Sequence, residues 1–157
     1  MRIGNGYDMH PFAPGRRLIL GGVAFEGETG LAGHSDGDAL CHAVIDALLG
    51  AAALGDVGSH FPSTDSNLQG ADSLDLLKQT KKLVTAAGYA ICNVDATVIA
   101  ERPRIQPYVQ DMRMRLARAL DVDLDMVSVK ATTTDRLGAI GREEGIAVQA
   151  VALIEET

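Results

Sequence analysis

Asp8 and His10 stand two residues apart in Gly6-Tyr7-Asp8-Met9-His10, and His42 falls in a run without Gly or Pro from Asp38 to Leu49. In an extended strand, side chains at i and i+2 leave the same face, so this carboxylate and imidazole can reach one point. The residues around His42 are good helix formers. A helix packed over the first strand would therefore bring one Asp and two His together. Two imidazoles and a carboxylate are a normal donor set for a divalent metal, zinc above all. Three protein donors leave a fourth position open, which marks a catalytic site more than a structural one. Taken singly, each residue has a plainer reading: a lone His is most often a surface or satisfied core residue, and Asp8 could cap a turn. The remaining histidines, His34 and His60, fall in polar, Gly-punctuated stretches, which favours a shared site.

The elements that must position these groups belong to a chain of 157 residues with a formal charge of −7 and an apolar fraction of 46%. That length suits one domain, residues 1–157, with a real core, and the composition argues against disorder. Trp is absent and aromatics are scarce, so Val, Ile, Leu and Ala must build the interior. The negative charge argues against a general nucleic-acid or anionic-membrane binder, but not against a phosphorylated small molecule held by local cations and a metal. No stretch is apolar enough to span a bilayer, and Met1-Arg2-Ile3-Gly4 opens straight into the fold, so a cytoplasmic protein is expected. Cys41 and Cys92 make neither a metal pair nor a disulfide framework and read as reduced, buried thiols.

Strands and helices alternate along the chain. Residues 1–12 read as a strand carrying the first candidate donors, and residues 18–20 and 22–25 as a short hairpin separated by glycine. Residues 27–37 form a turn-rich loop with His34 and Ser35. A first helix is expected over residues 36–54, with Ser35 or Asp36 as N-cap and Gly55 at its end. Asp38, His42 and Asp46 share one stripe of it, so Asp38 or Asp46 could orient His42, or could be solvated helix carboxylates. Residues 55–65 read as a polar loop. A second helix is expected over 71–87, with Leu74, Leu77, Leu83 and Val84 inward and Lys78, Lys81 and Lys82 in solvent. A strand at 89–100, a helix at 107–120, a strand at 127–134, a turn at 137–141 and a last strand at 146–155 complete the pattern.

The best physical solution is an α+β fold, a single mixed β-sheet with helices packed on one face. Both faces of the last strand look mostly apolar, and one helical layer cannot cover both. Packing of sheets between subunits resolves this and predicts an oligomer.

Five stretches occur in one order: Gly4-x-Gly-Tyr-Asp8-Met-His10, His34-Ser-Asp-Gly-Asp38 with His42, Asp56-Val-Gly58-x-x-Phe-Pro62, Lys130-Ala-Thr-Thr-Thr134 and Gly141-Arg-Glu-Glu-Gly145. Together they resemble the 2-C-methyl-D-erythritol 2,4-cyclodiphosphate synthase family of the non-mevalonate isoprenoid pathway, over essentially the whole chain. The resemblance implies a homotrimer with a site at each subunit interface and no separate cytidylyltransferase domain. It implies conversion of 4-diphosphocytidyl-2-C-methyl-D-erythritol 2-phosphate to the cyclic diphosphate with release of CMP. This is an intramolecular phosphoryl transfer, which explains why no protein nucleophile is evident.

By that similarity Asp8, His10 and His42 hold zinc, and His34 and Thr133 stabilise the transition state. Asp135 would meet a second cation, magnesium or manganese, where the family pattern has Glu; the shorter side chain favours a bridging water. Asp56 and Gly58 would hold the ribose, with Ser35, Val57, Phe61 and Asp65 nearby. Ala100, Pro103, Arg104, Ile105 and Gln106, with Lys130, Ala131, Thr132 and Thr134, would enclose the cytosine and its phosphate from the neighbouring subunit. Two further departures are Ser63, where Asp is frequent, and Ala139, where Phe is common. Ala139 makes isoprenoid diphosphate binding in a central trimer cavity doubtful. Arg142 could meet a diphosphate there, or pair with Glu144 between subunits. The competing functions are a zinc-dependent nucleotide phosphohydrolase with His34 as base, and a binding scaffold with structural zinc and a closed coordination shell.

Overall fold

The computed structural model describes residues 1–157 throughout. Its elements run β1 (Arg2–Leu20), β2 (Val23–Leu31), α1 (Ala39–Ala52), α2 (Val57–His60), α3 (Ser73–Ala86), β3 (Tyr89–Ile99), α4 (Val109–Leu120), β4 (Val127–Thr132), α5 (Gly138–Gly141) and β5 (Gly145–Glu156). The strands make one five-stranded sheet in the order β2-β1-β5-β3-β4. All pairings are antiparallel except β3 with β4. This is the expected α+β mixed sheet with one helical layer.

Alternation along the strands decides which face the helices take. Gly4 and Gly6 of β1, Ala150, Ala152 and Ile154 of β5, and Val94, Ala96 and Val98 of β3 are buried beneath them. On the opposite face Ile3, Tyr7 and Met9 remain 71%, 57% and 51% exposed, and Val151 and Leu153 half-exposed. One chain thus leaves apolar sheet uncovered, as the composition of the last strand required.

α1 lies unusually close to β1. A Cβ added to Gly4 would overlap the Ala47 carbonyl oxygen, and one added to Gly6 would overlap that of Ala43. Small residues on both elements let strand and helix backbones touch, and this sets His42 above the Asp8–His10 stretch of β1.

Several boundaries differ from expectation. β1 continues beyond residue 12 to Leu20 and bends where its register with β2 shifts between Phe12 and Leu18. β2 runs to Leu31, so part of the expected loop is strand. α1 starts at Ala39, and its N-cap is Asp38, which accepts from Cys41 N at 3.0 Å, rather than Ser35 or Asp36. The helix ends on Ala53, left-handed at φ 58°, before Gly55 is reached. Residues 55–65 contain α2, capped by Asp56. The strand expected at 127–134 stops at Thr132, because residues 133–136 turn under the Glu101 carboxylate. Leu76 and Leu77 bury fully on α3 while Leu74 and Leu83 are half-buried. Cys41 is buried, but Cys92 is only half-buried.

Gly6→Ala should lower the unfolding free energy by roughly 3 kcal/mol, the upper part of the range for overpacking, because the clash is with backbone. Gly50→Ala, on the open side of α1, should raise it by about 0.5–1 kcal/mol through helix propensity. Urea midpoints at matched protein concentration check both.

Candidate metal centre and phosphate-facing loops

β1 presents Asp8 and His10 on its helix-facing side, and α1 lowers His42 onto them. Asp8 Oδ2 is 2.7 Å from His10 Nε2 and 3.0 Å from His42 Nδ1, and the two nitrogens are 3.4 Å apart. All three donor atoms lie within 4.8 Å of one another. The corners of a tetrahedron with metal bonds of about 2.0–2.1 Å lie roughly 3.3 Å apart. A small opening of this triangle therefore admits a divalent ion, and the chemistry of the donor set suits one. No fourth Cys, His or carboxylate joins the cluster, so one side stays open.

Without an ion, protons hold the triangle together. Burial works to raise the Asp8 carboxyl, but hydrogen bonds from His10 and His42 outweigh it and keep Asp8 well below the usual carboxylate range. Burial works to lower His42, yet the Asp8 carboxylate beside it raises this imidazole above its ordinary value.

The orienting partners of His42 differ from those expected. Asp38 is fully buried and accepts from Gly21 N at 2.9 Å, Gly22 N at 2.7 Å and Cys41 N, pinning α1 to the β1–β2 turn. Asp46 accepts from Val57 N at 2.7 Å. Neither carboxylate hydrogen-bonds the His42 ring, whose Nε2 instead meets Ser35 Oγ at 3.0 Å and Ser73 Oγ at 3.1 Å. Arg16 donates to the carbonyls of Gly33 and Ser35 at 2.6 and 2.5 Å and holds the intervening loop. Ser73 and Arg16 carry no local pattern that would have marked them, and Asp36, weighed as a helix N-cap, accepts instead from Ser73.

His34, Ser35 and His42 line a cavity of about 200 Å³ with Val57, Gly58 and Phe61. His34 Nε2 lies 2.9 Å from the carbonyl oxygen of Asp65. A carbonyl only accepts, so Nε2 carries hydrogen and Nδ1 is the nitrogen left for a ligand. Asp56 spends its carboxylate on Ser59, accepting from its amide at 2.8 Å and its hydroxyl at 2.7 Å. Asp65 likewise caps Asn67.

A second cavity, about 250 Å³, is lined by Ala100, residues 103–106 and residues 131–133. Asp8, Val148, Val98 and Ala131 are successive register partners across β1, β5, β3 and β4. With strands about 4.8 Å apart, Ala131 lies about 14 Å from the metal donors of the same chain. Beside this cavity Glu101 Oε1 accepts from Thr134 N and Arg136 N at 3.0 Å each, and from the Thr134 hydroxyl at 3.1 Å. Those backbone hydrogen bonds lower the Glu101 carboxyl. The turn they hold includes Asp135 and Arg136, both left-handed at φ 51° and 64°. Thr133 Oγ1 accepts from Asp135 N at 3.2 Å and donates weakly to Asp135 Oδ1 at 3.5 Å.

Lys130 and Arg142 each make an exposed ion pair. Lys130 grips both oxygens of Asp95 at 2.5 and 2.6 Å on the uncovered sheet face. Arg142 pairs with Glu144 at 2.6 Å within the chain.

Comparison with known proteins places this geometry. A family model described as the YgbB family matches residues 1–155. The chain belongs to the YgbB family. Relatives in it include the 2-C-methyl-D-erythritol 2,4-cyclodiphosphate synthase of Pelodictyon phaeoclathratiforme, 57% identical over 98% of each chain. The protein of that name from Chlorobium luteolum is 59% identical over 99% of each. Among solved structures, the bifunctional IspDF of Campylobacter jejuni superposes with a TM-score of 0.96 at 43% identity, over 99% of this chain and 42% of that one. The Plasmodium falciparum IspF CDP complex gives 0.86 at 33% identity, over 99% and 96%. The synthase resemblance carried by the five YgbB-family motifs is therefore correct.

Apparent metal affinity should fall by up to about tenfold per pH unit on acidification through the raised His42 titration, because each ion must displace that proton. His42→Ala should weaken zinc binding by more than the roughly 100-fold typical of losing an outer hydrogen-bond partner. Chelator competition at several pH values reads both.

Proposed function

We propose that this YgbB-family chain converts 4-diphosphocytidyl-2-C-methyl-D-erythritol 2-phosphate to 2-C-methyl-D-erythritol 2,4-cyclodiphosphate and CMP. The observation that carries this reading is the open Asp8/His10/His42 triangle beside the His34 cavity, in a chain whose full-length relatives bear that synthase name. An oxygen of the substrate's 2-phosphate attacks the β-phosphorus, the bond from that phosphorus to the bridging oxygen breaks, and CMP leaves with that oxygen. The nucleophile and leaving group are both phosphates within one substrate, so the protein has only to align them and neutralise charge.

Zinc held by Asp8, His10 and His42 would supply Lewis-acid charge neutralisation at the phosphates, with magnesium or manganese as second cation. His34 donates to Asp65 through Nε2, so to donate also to a phosphate oxygen its ring must carry both protons. Thr133 would turn its hydroxyl hydrogen from the long Asp135 contact to a phosphate oxygen, and Asp135, short of the expected Glu, would meet the second cation through water. Val57, Gly58 and Phe61 form the wall opposite His34, with Ser35 behind His42 and Asp56 and Asp65 shaping the same loop. Ala100, residues 103–106 and residues 130–134 take the cytidine.

Two cavities about 14 Å apart by sheet register suit a site completed by a neighbour. The exposed Ile3, Tyr7 and Met9 face suits burial between copies, and we assign a homotrimer in which residues 1–157 act as one domain. Arg142, paired with Glu144, serves that assembly more readily than the substrate. No helix is long and apolar enough to cross a membrane; we place the protein in the cytoplasm.

Phosphorus NMR with substrate, zinc and magnesium should show CMP and a cyclic diphosphate in equal amounts; a linear phosphate product would indicate a phosphohydrolase instead. Asp135→Ala should raise the magnesium needed for half-activity by at least about tenfold, the scale of losing a water-mediated partner, while Asp135→Glu should preserve or lower it.

A further inference from the structure

The nitrogen of His42 that faces away from the donor triangle meets two hydroxyls, Ser35 Oγ at 3.0 Å and Ser73 Oγ at 3.1 Å, and the second leads into a part-buried chain of hydrogen bonds. Ser73 is fully buried at the first turn of α3, and its hydroxyl lies 3.1 Å from His42 Nε2. On its other side the same oxygen is 2.5 Å from Asp36 Oδ1, while the Ser73 amide donates to Asp36 Oδ2 at 3.0 Å. Asp36 also accepts from Asp38 N at 3.1 Å, so it is ringed by donors and acts as acceptor in each contact. A hydroxyl has one hydrogen. The Ser73 hydrogen goes to Asp36, which leaves an oxygen lone pair facing His42. His42 Nε2 must then carry hydrogen and donate, so the proton an entering ion displaces is the one Nδ1 holds toward Asp8, and the lone pair it uncovers is aimed between Asp8 and His10.

We propose that Asp36, acting through Ser73, is the positioning carboxylate of this metal centre, fixing the His42 tautomer and ring so that Nδ1 faces the ion. The inference rests on the metal reading of the Asp8/His10/His42 triangle. Its physical content is that of an outer carboxylate on a ligating histidine, relayed by one hydroxyl: the ring cannot flip without breaking the hydrogen bond to Ser73, and the negative end of the chain makes Nδ1 a better donor. The relay also ties the approach of α1 on β1 to the start of α3, thirty-seven residues away in sequence from Asp36.

Zinc-free wild type, Ser73→Ala, Asp36→Asn and Asp72→Ala tested with cobalt(II) and zinc decide the matter. Asp72 caps α3, accepting from Leu74 N at 2.8 Å; its loss weakens the same helix end without touching the relay. We expect wild type to bind one cobalt with a visible d–d spectrum, and Ser73→Ala to bind about 10–100-fold more weakly with that spectrum altered. Asp36→Asn should shift both in the same direction, and Asp72→Ala should leave both unchanged. Wild-type affinity and spectrum in folded Ser73→Ala and Asp36→Asn would overturn the positioning role alone, as would an equal loss in Asp72→Ala. Failure of wild type itself to take up either metal would overturn the metal reading, and the relay with it.

Discussion

Close contact between α1 and β1 is the constraint on which the site depends. Gly4 and Gly6 leave no side chain between the strand and the Ala43 and Ala47 carbonyls of the helix. Any ordinary side chain there would lift the helix and carry His42 off Asp8 and His10. The height of α1 is thus set by missing atoms, and its register by a buried carboxylate: Asp38 takes amide hydrogens from the β1–β2 turn and from the helix's own first turn. Burial, and then the charge of Asp36, raise the Asp38 carboxyl, so those three amides are needed to offset its desolvation. Donors fixed by a strand and a helix in this way inherit the rigidity of the core.

The opposite part of the site is built by other means. Thr133 and Asp135 sit on a turn with two consecutive left-handed residues, a conformation that costs energy away from glycine. Glu101 offsets that cost by accepting two turn amides and one hydroxyl. A rigid metal corner and a loop held by one carboxylate suit a reaction in which groups must be aligned without a protein nucleophile. The sheet keeps the same division: one chain covers one face and leaves Ile3, Tyr7 and Met9 exposed on the other.

Much of this was legible in the sequence because it rests on short-range patterns. The i, i+2 spacing of Asp8 and His10 and the helical run around His42 named the three donors, and the fold class followed from alternation of strand and helix. Five ordered motifs then named the family. What escaped was held together at long range. Asp36 and Ser73 meet across thirty-seven residues, and neither differs locally from an ordinary loop Asp or helix-start Ser. Asp38 read as an orienting residue because it shares a helical stripe with His42, yet it precedes the helix and turns to the glycines at 21 and 22. Strand order was equally hidden, since β5 enters between β1 and β3 only after the rest of the sheet is in place along the chain.

The most direct test of this account is a crystal structure of the zinc-loaded protein with anomalous scattering recorded on both sides of the zinc edge. The account predicts one strong peak per chain, bonded to Asp8 Oδ2, His10 Nε2 and His42 Nδ1, with solvent or ligand oxygen as the fourth neighbour. A peak elsewhere, a fourth protein donor, or no peak at these residues would contradict it.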